Sequence, residues 1–174
     1  YNQSAASGNA DAQCNLGNCY CYGTGCEQNY ALAAEGYEKA ALQGHAHAQC
    51  SLGFAYKLGR GVPQSHGKAF KLYNQSAASG NADAQCNLGT CYRNGTGCEQ
   101  NHELAAEWYE KAALQGHARA QCSLGVAYEL GQGVPQSHKK AFELYNQSAA
   151  SGNADAQCNL GNCYCYGTGC EQNY

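Results

Sequence analysis

The stretch that decides the fold is Tyr30-Ala31-Leu32-Ala33-Ala34-Glu35-Gly36-Tyr37-Glu38-Lys39-Ala40-Ala41-Leu42-Gln43-Gly44, followed by His45-Ala46-His47-Ala48-Gln49-Cys50-Ser51-Leu52-Gly53. Asn29 is a side chain suited to cap a helix that runs from Tyr30 to Gln43. Ala33, Tyr37, Ala40 and Ala41 then share one face at helical spacing, and Gly44 supplies a left-handed stop. A second helix is expected from Ala46 to about Leu58, with Leu52 and Tyr56 on its apolar side. Gly59-Arg60-Gly61-Val62 turns the chain, and Ser65 and Ser137 are expected to cap the helices that follow.

Outward from this stretch the pattern recurs. Tyr1, Tyr37, Tyr73, Tyr109 and Tyr145 are spaced by 36 residues, as are Cys14, Cys50, Cys86, Cys122 and Cys158. Odd and even units differ, so the closer repeat is a 72-residue pair: 37–72 returns at 109–144 with a handful of changes. Residues 145–174 repeat 1–30 letter for letter. Each unit is a helix pair whose stripe of Ala, Gly, Cys and Tyr is too small to be buried alone. Stacking on the next pair buries it, which predicts an all-α solenoid spanning 1–174, about five 36-residue helix-turn-helix repeats. The array opens and closes inside a helix without a polar cap, and together with the absence of Met this reads as a window into a longer array.

Composition narrows the function. A formal net charge of -3 gives no reason to expect nucleic acid as a partner, and no apolar run approaches a membrane span. Charged residues make up only 13%, so Asn, Gln, Ser and Tyr must cover much of the surface. Thirteen cysteines favour an oxidising, extracellular or periplasmic compartment over the cytoplasm, and the odd count leaves at least one thiol without an intrachain partner.

The residues Ala105-Ala106-Glu107-Trp108-Tyr109-Glu110-Lys111-Ala112-Ala113, then Gly116-His117-Ala118-Arg119-Ala120-Gln121, Leu124-Gly125-x-x-Tyr128 and Gly131-x-Gly133-Val134 carry a likeness along the whole chain. They resemble the Sel-one-like repeat, a branch of the tetratricopeptide-like superfamily. The resemblance implies a right-handed superhelix whose members act mainly as adaptors between proteins. Some bacterial members are secreted and cysteine-rich, with a disulfide joining the two helices of each repeat. This chain departs from them: the helix-A cysteine would fall at positions such as Ala6, Ala41 or Ala78, all alanine. The enzymatic activity suggested for that subgroup finds no support in these residues.

The cysteines sort by repeat position. Those of the Ala-Gln-Cys motif read as small core residues, too far apart from repeat to repeat to share a metal or a bridge. Cys19 with Cys26, Cys91 with Cys98 and Cys163 with Cys170 form a second set, replaced together by Ala55 with Val62 and Ala127 with Val134 in the even repeats. Paired replacement is what a disulfide between the end of a helix and the following turn requires. A small apolar pair that happens to be cysteine is the alternative. Cys21 and Cys165 correspond to Arg93 in the third repeat, so the site is expected to be exposed, and the two thiols are candidates for intermolecular bonds.

No nucleophile–base pair or metal set emerges, so no catalytic residue, metal or cofactor is expected. His45, His47 and His117, and His66, His102 and His138, read as capping or turn residues. Glu35, Glu38, Glu107 and Glu110 lie on the polar side of the first helix of each pair, the side that lines the concave groove in this architecture. Asn2, Asn74 and Asn146 begin sequons inside helices, whereas Asn94, at a turn, is the better glycosylation acceptor. Two functions remain: a non-catalytic scaffold holding a protein or peptide, or a subunit of an extracellular filament built by stacking copies of itself. Near-identical copying of the 72-residue unit favours a uniform lattice or a repeated ligand. The family resemblance favours the scaffold.

Overall fold

A computed structural model describes residues 8–170. Tyr1, Asn2 and Ala6 lie outside the described residues. Among the described residues the chain forms nine α-helices of thirteen residues each and no strand. They are α1 (Ala10–Tyr22), α2 (Tyr30–Leu42), α3 (Ala46–Leu58), α4 (His66–Ala78), α5 (Ala82–Asn94), α6 (His102–Leu114), α7 (Ala118–Leu130), α8 (His138–Ala150) and α9 (Ala154–Tyr166). The chain divides into two compact units. One contains the residues up to Ala84 with Thr96–Cys98, and the other contains Gln85–Gly95 with the residues from Glu99 onward.

In the first unit α1 packs on α2, α2 on α3 and α3 on α4. Helix starts are set by side chains that accept from the orphan N–H groups of the first turn. Asn9 Oδ1 accepts from Ala12 N at 2.8 Å, and Asn29 Oδ1 from Ala31 N and Leu32 N at 3.1 Å. Ser65 Oγ caps α4 as expected. His45 caps α3 through its ring: Nδ1 accepts from Ala48 N at 3.1 Å. Gly44 takes the left-handed conformation (φ +81°) that its position required, and Gly59 and Gly61 do the same in the next turn. At Gly61 a side chain is doubly excluded, since a Cβ would also overlap the carbonyl of Tyr30. Gln64 Nε2 staples this turn to the helix behind it, donating to Lys57 O at 2.9 Å.

The core of the unit is built from rings laid on glycines. Ala33, Tyr37, Ala40, Ala48, Cys14 and Leu52 form its buried cluster, while Ala41, expected with them, is only half-buried. The Tyr37 ring covers Gly17, where an added Cβ would lie 2.7 Å from ring carbons, and Tyr73 covers Gly53 at 2.8 Å. Tyr37 Oη donates to Asn18 Oδ1 at 2.8 Å, so its polar end is satisfied where the ring is buried.

The second unit repeats this construction. Asn101, His117, Ser137 and Asn153 cap α6 to α9, and Tyr109 and Tyr145 lie on Gly89 and Gly125. Their hydroxyls reach Thr90 Oγ1 at 3.2 Å and Glu129 Oε2 at 2.7 Å. Two polar clasps alternate, which explains why the closer repeat is a double one. An odd-to-even junction pairs glutamines: Gln43 Nε2 to Gln13 Oε1 (2.8 Å) in the first unit, Gln115 Nε2 to Gln85 Oε1 (2.7 Å) in the second. An even-to-odd junction uses a buried serine, Ser76 Oγ to Ala46 O and Ser148 Oγ to Ala118 O, both 2.7 Å.

Candidate functional site

Within the first unit α2, α3 and α4 enclose a groove of about 510 Å³. Its first wall is Glu38, Ala41 and Leu42 on α2. Leu52 and Tyr56 of α3 form the floor, and the far wall is Lys68, Lys71, Leu72 and Gln75 of α4. The Lys68 ammonium lies 4.9 Å from the Tyr56 ring centroid, a cation–π contact that holds the charge at the groove. Leu42 at the rim is 84% exposed, so the groove opens beside apolar surface left to solvent. Gln49 lies deeper, 7% exposed. Its Nε2 donates to Ala41 O at 3.3 Å, while Oε1 has no hydrogen-bond partner. A buried acceptor left open costs about 1–3 kcal/mol, so a donor delivered to it would be stabilising.

The same groove recurs 72 residues later in the second unit, about 290 Å³, lined by Glu110, Ala113, Leu114, Leu124, Tyr128, Lys140, Glu143, Leu144 and Gln147. Leu114 is 83% exposed, and Lys140 lies over Tyr128 at 4.8 Å. Gln121 again leaves its Oε1 without a partner, while its Nε2 donates to Gln147 Oε1 at 3.4 Å. One wall differs in sign, with Lys71 in the first groove and Glu143 in the second.

The glutamates singled out from the sequence are placed as follows. Glu38 lines the first groove and Glu110 the second; Glu107 and Glu110 also line a neighbouring hollow with Glu103 and Gly133. Glu35 is exposed and pairs with Lys39 one turn along α2 at 2.6 Å. The apolar and amide components, Leu42, Leu114, Gln49 and Gln121, were missed. Their signal was in the repeat itself: a leucine on the polar side of each even helix pair, and a glutamine in every Ala-Gln-Cys motif.

All thirteen cysteines are thiols in the structure. Cys163 is buried at the end of α9, and the Cys170 thiol in the next turn donates to its carbonyl at 3.4 Å. Cys91 is buried, Cys98 and Cys19 are half-buried, and Cys26 is exposed. Cys165 is exposed, but Cys21 is half-buried against the core of the first unit and the Tyr37 hydroxyl. The expectation of exposure, drawn from Arg93, holds at one site and not at the other. Asn94 is exposed and is the last residue of α5. Asn74 and Asn146 lie within α4 and α8, as expected.

Burial acts on the core thiols unequally. Cys14 is pushed up to about 11 by burial and by the Asp11 carboxylate, and Cys122 is raised by burial and Asp155. Burial opposes ionisation of Cys86 too, yet hydrogen bonds and charge from His117 and Arg119 outweigh it and hold that thiol below the usual range. Among the described residues no group of three or more His, Cys, Asp or Glu side chains could hold a metal ion, and no helix is long and apolar enough to cross a membrane.

The comparisons with known proteins agree with this geometry. The Sel1 repeat profile matches residues 10–45, 46–81, 82–117, 118–153 and 154–174. A protective antigen of uropathogenic Escherichia coli with an SLR fold superposes at a TM-score of 0.92 with 37% identity, over 99% of this chain and 37% of its own. The chain thus spans little more than a third of that antigen. A Sel1 repeat protein from Oxalobacter formigenes gives 0.90 and 34%, over 97% of this chain and 67% of its own. Cysteine-rich protein B of Helicobacter pylori shares the fold at 0.59 and 23% identity, over 73% of this chain and 96% of its own. No curated protein sequence matches the chain. With five matches running from Ala10 to the last residue and a fold of stacked helix pairs, the chain is an all-α repeat solenoid and belongs to the Sel1 repeat family.

Proposed function

We propose that this chain is a non-catalytic scaffold that holds a segment of another protein in the grooves between successive helix pairs. Sel1 repeats mediate protein–protein interaction, and this supports the coarse reading. The observation that carries the finer one is the groove repeated at a 72-residue interval with an exposed leucine at its rim, the first groove also being lined by Gln49, whose buried carbonyl is open. Extended peptide backbone has N–H groups to offer such an acceptor, and its side chains cover the leucine. A peptide selected by display against the whole chain is expected to lose at least about tenfold in affinity on Leu42→Glu or Leu114→Glu, a loss of about 1.4 kcal/mol. Helicity by circular dichroism should stay unchanged in both variants. Selected peptides that bind both variants as tightly as the parent would overturn the reading.

The same reading places the protein outside the cytoplasm, where Cys19–Cys26, Cys91–Cys98 and Cys163–Cys170 close into disulfides and Asn94 is open to glycosylation. Support comes from the paired replacement by Ala and Val in the even repeats and from the closeness of the Cys170 thiol to the Cys163 backbone. A disulfide map of unreduced protein, with free thiols alkylated first, is expected to return the three linked peptides. Alkylation of all thirteen thiols would remove this part of the proposal. The letter-for-letter identity of 145–174 with 1–30 favours a second reading, filaments of stacked copies. That reading requires concentration-dependent polymers in sedimentation velocity, with Cys165 as the linking thiol.

A further inference from the structure

Five positions in the chain carry the Ala-Gln-Cys thiol, and Cys86 has surroundings unlike those of Cys14 and Cys122. Arg119 Nε donates to Cys86 Sγ at 3.2 Å, and its Nη2 is held by Asn87 Oδ1 at 2.6 Å, so the guanidinium is fixed against the sulfur. His117 completes the cluster. Its Nδ1 accepts from Ala120 N at 3.1 Å as the cap of α7, which leaves the proton of a neutral ring on Nε2. The ring hydrogen-bonds to the Cys86 sulfur. Around the thiol, α5 itself contributes Asn87, α6 contributes Tyr109, and the start of α7 contributes His117 and Arg119.

The chain contains its own control. One double repeat earlier the same thiol is Cys14, the same cap is His45, and the position of Arg119 is held by His47. There the cap ring turns to a carboxylate, with His45 Nε2 3.0 Å from Asp11 Oδ1, and no guanidinium reaches the sulfur. Exposure does not separate the two sites: Cys14 is 2% exposed and Cys86 0%. Cys86 is nonetheless close to solvent, because Arg119, which covers it, is exposed and His117 is half-buried. Access to the sulfur therefore requires those two side chains to shift.

We propose that Cys86 is a reactive thiolate site, held by Arg119, His117 and Asn87, that is oxidised by small hydroperoxides while its counterpart Cys14 is not. The thiolate attacks the peroxide oxygen. An S–O bond forms as the O–O bond breaks, sulfur is oxidised to a sulfenic acid that keeps the proton of the attacked oxygen, and the distal oxygen leaves as hydroxide, or as an alkoxide from an organic hydroperoxide, to be neutralised by buffer acid. Arg119 supports the negative sulfur before attack, and the His117 Nε2–H stands beside the leaving oxygen.

The test uses the whole chain, with methyl methanethiosulfonate as a small neutral probe and hydrogen peroxide as the oxidant, both mapped by tandem mass spectrometry. Burial and the Asp11 carboxylate push Cys14 up to about 11, whereas the contacts of His117 and Arg119 hold Cys86 below the usual thiol range. At neutral pH the thiolate fraction of Cys86 is therefore the larger of the two. The weaker nucleophilicity of the more acidic thiolate offsets part of that advantage, and Cys86 is expected to be labelled several-fold faster than Cys14 at pH 7. Arg119→His, which installs the residue found at position 47, should bring the two rates together, and His47→Arg should speed Cys14. Peroxide treatment should block later labelling of Cys86 ahead of Cys14, with recovery on reduction by dithiothreitol. Equal rates in the parent protein, an unchanged Cys86 rate in Arg119→His, or modification of Cys86 only at the rate of global unfolding in urea would each overturn the proposal.

Discussion

At Gly53 and Gly125 the missing side chain is what lets Tyr73 and Tyr145 lie against the preceding helix, and the same residue type at Gly67, in the first turn of α4, meets nothing within 4 Å among the described residues. The contrast gives a prediction with opposite signs. Gly53→Ala or Gly125→Ala drives a methyl group into a fully buried ring and is expected to destabilise by about 1–3 kcal/mol. Gly67→Ala adds the same methyl group to open space on a helix and should stabilise by about 0.5–1 kcal/mol. Urea unfolding of the three variants separates the outcomes. Small residues and tyrosines were legible as core from their spacing. Which glycine receives which ring was not, because that depends on how one helix is rotated against the next. The same gap hid the Cys86 cluster: His47 and Arg119 differ by one letter, and only the fold shows that the letter sits on a sulfur.

Helix boundaries are local matters, and they were read almost to the residue. Asn29, Ser65 and Ser137 cap the helices they were expected to cap, because an N-cap requires only a short polar side chain three residues before an orphan N–H. Ser65→Ala and Ser137→Ala are each expected to lower stability by about 1 kcal/mol, read as a shift in the urea midpoint without a change of slope. The histidine caps were read only as capping or turn residues in general. A ring nitrogen accepts as well as a carboxamide oxygen does, and His45 and His117 each do so at 3.1 Å. The groove was partly legible. Its glutamates stand out as the polar face of an amphipathic helix, whereas Gln49 and Gln121 look like any polar residue until burial leaves their carbonyls without a donor.

For the molecule as a whole, buried acids set the response to alkali. Cys14, Cys122 and Tyr109 all have their ionisation pushed upward by burial in the folded chain. In the window between the unfolded thiol value and the raised folded one, the unfolded chain has released protons that the folded chain still binds. Stability is therefore fully present below about 9 and falls as pH climbs towards about 11. Cys86, shifted the other way, contributes stability that is retained above the unfolded value and opposes the trend at one site only. The midpoint of thermal unfolding is expected to be level from pH 7 to 8.5 and to drop progressively from pH 9 to 11. Cys14→Ser should flatten part of that drop, at the cost of a lower midpoint at neutral pH.

Trp108 is the only tryptophan in the chain, and the Lys111 ammonium sits 4.0 Å from its ring centroid. It belongs to the second compact unit, while tyrosines populate both. Indole emission therefore reports on one half of the molecule, and tyrosine absorbance or helical ellipticity reports on all of it. If the halves melt together the two optical signals share a midpoint. If they melt in succession, the fluorescence transition coincides with only one of two steps in ellipticity and names the half to which it belongs.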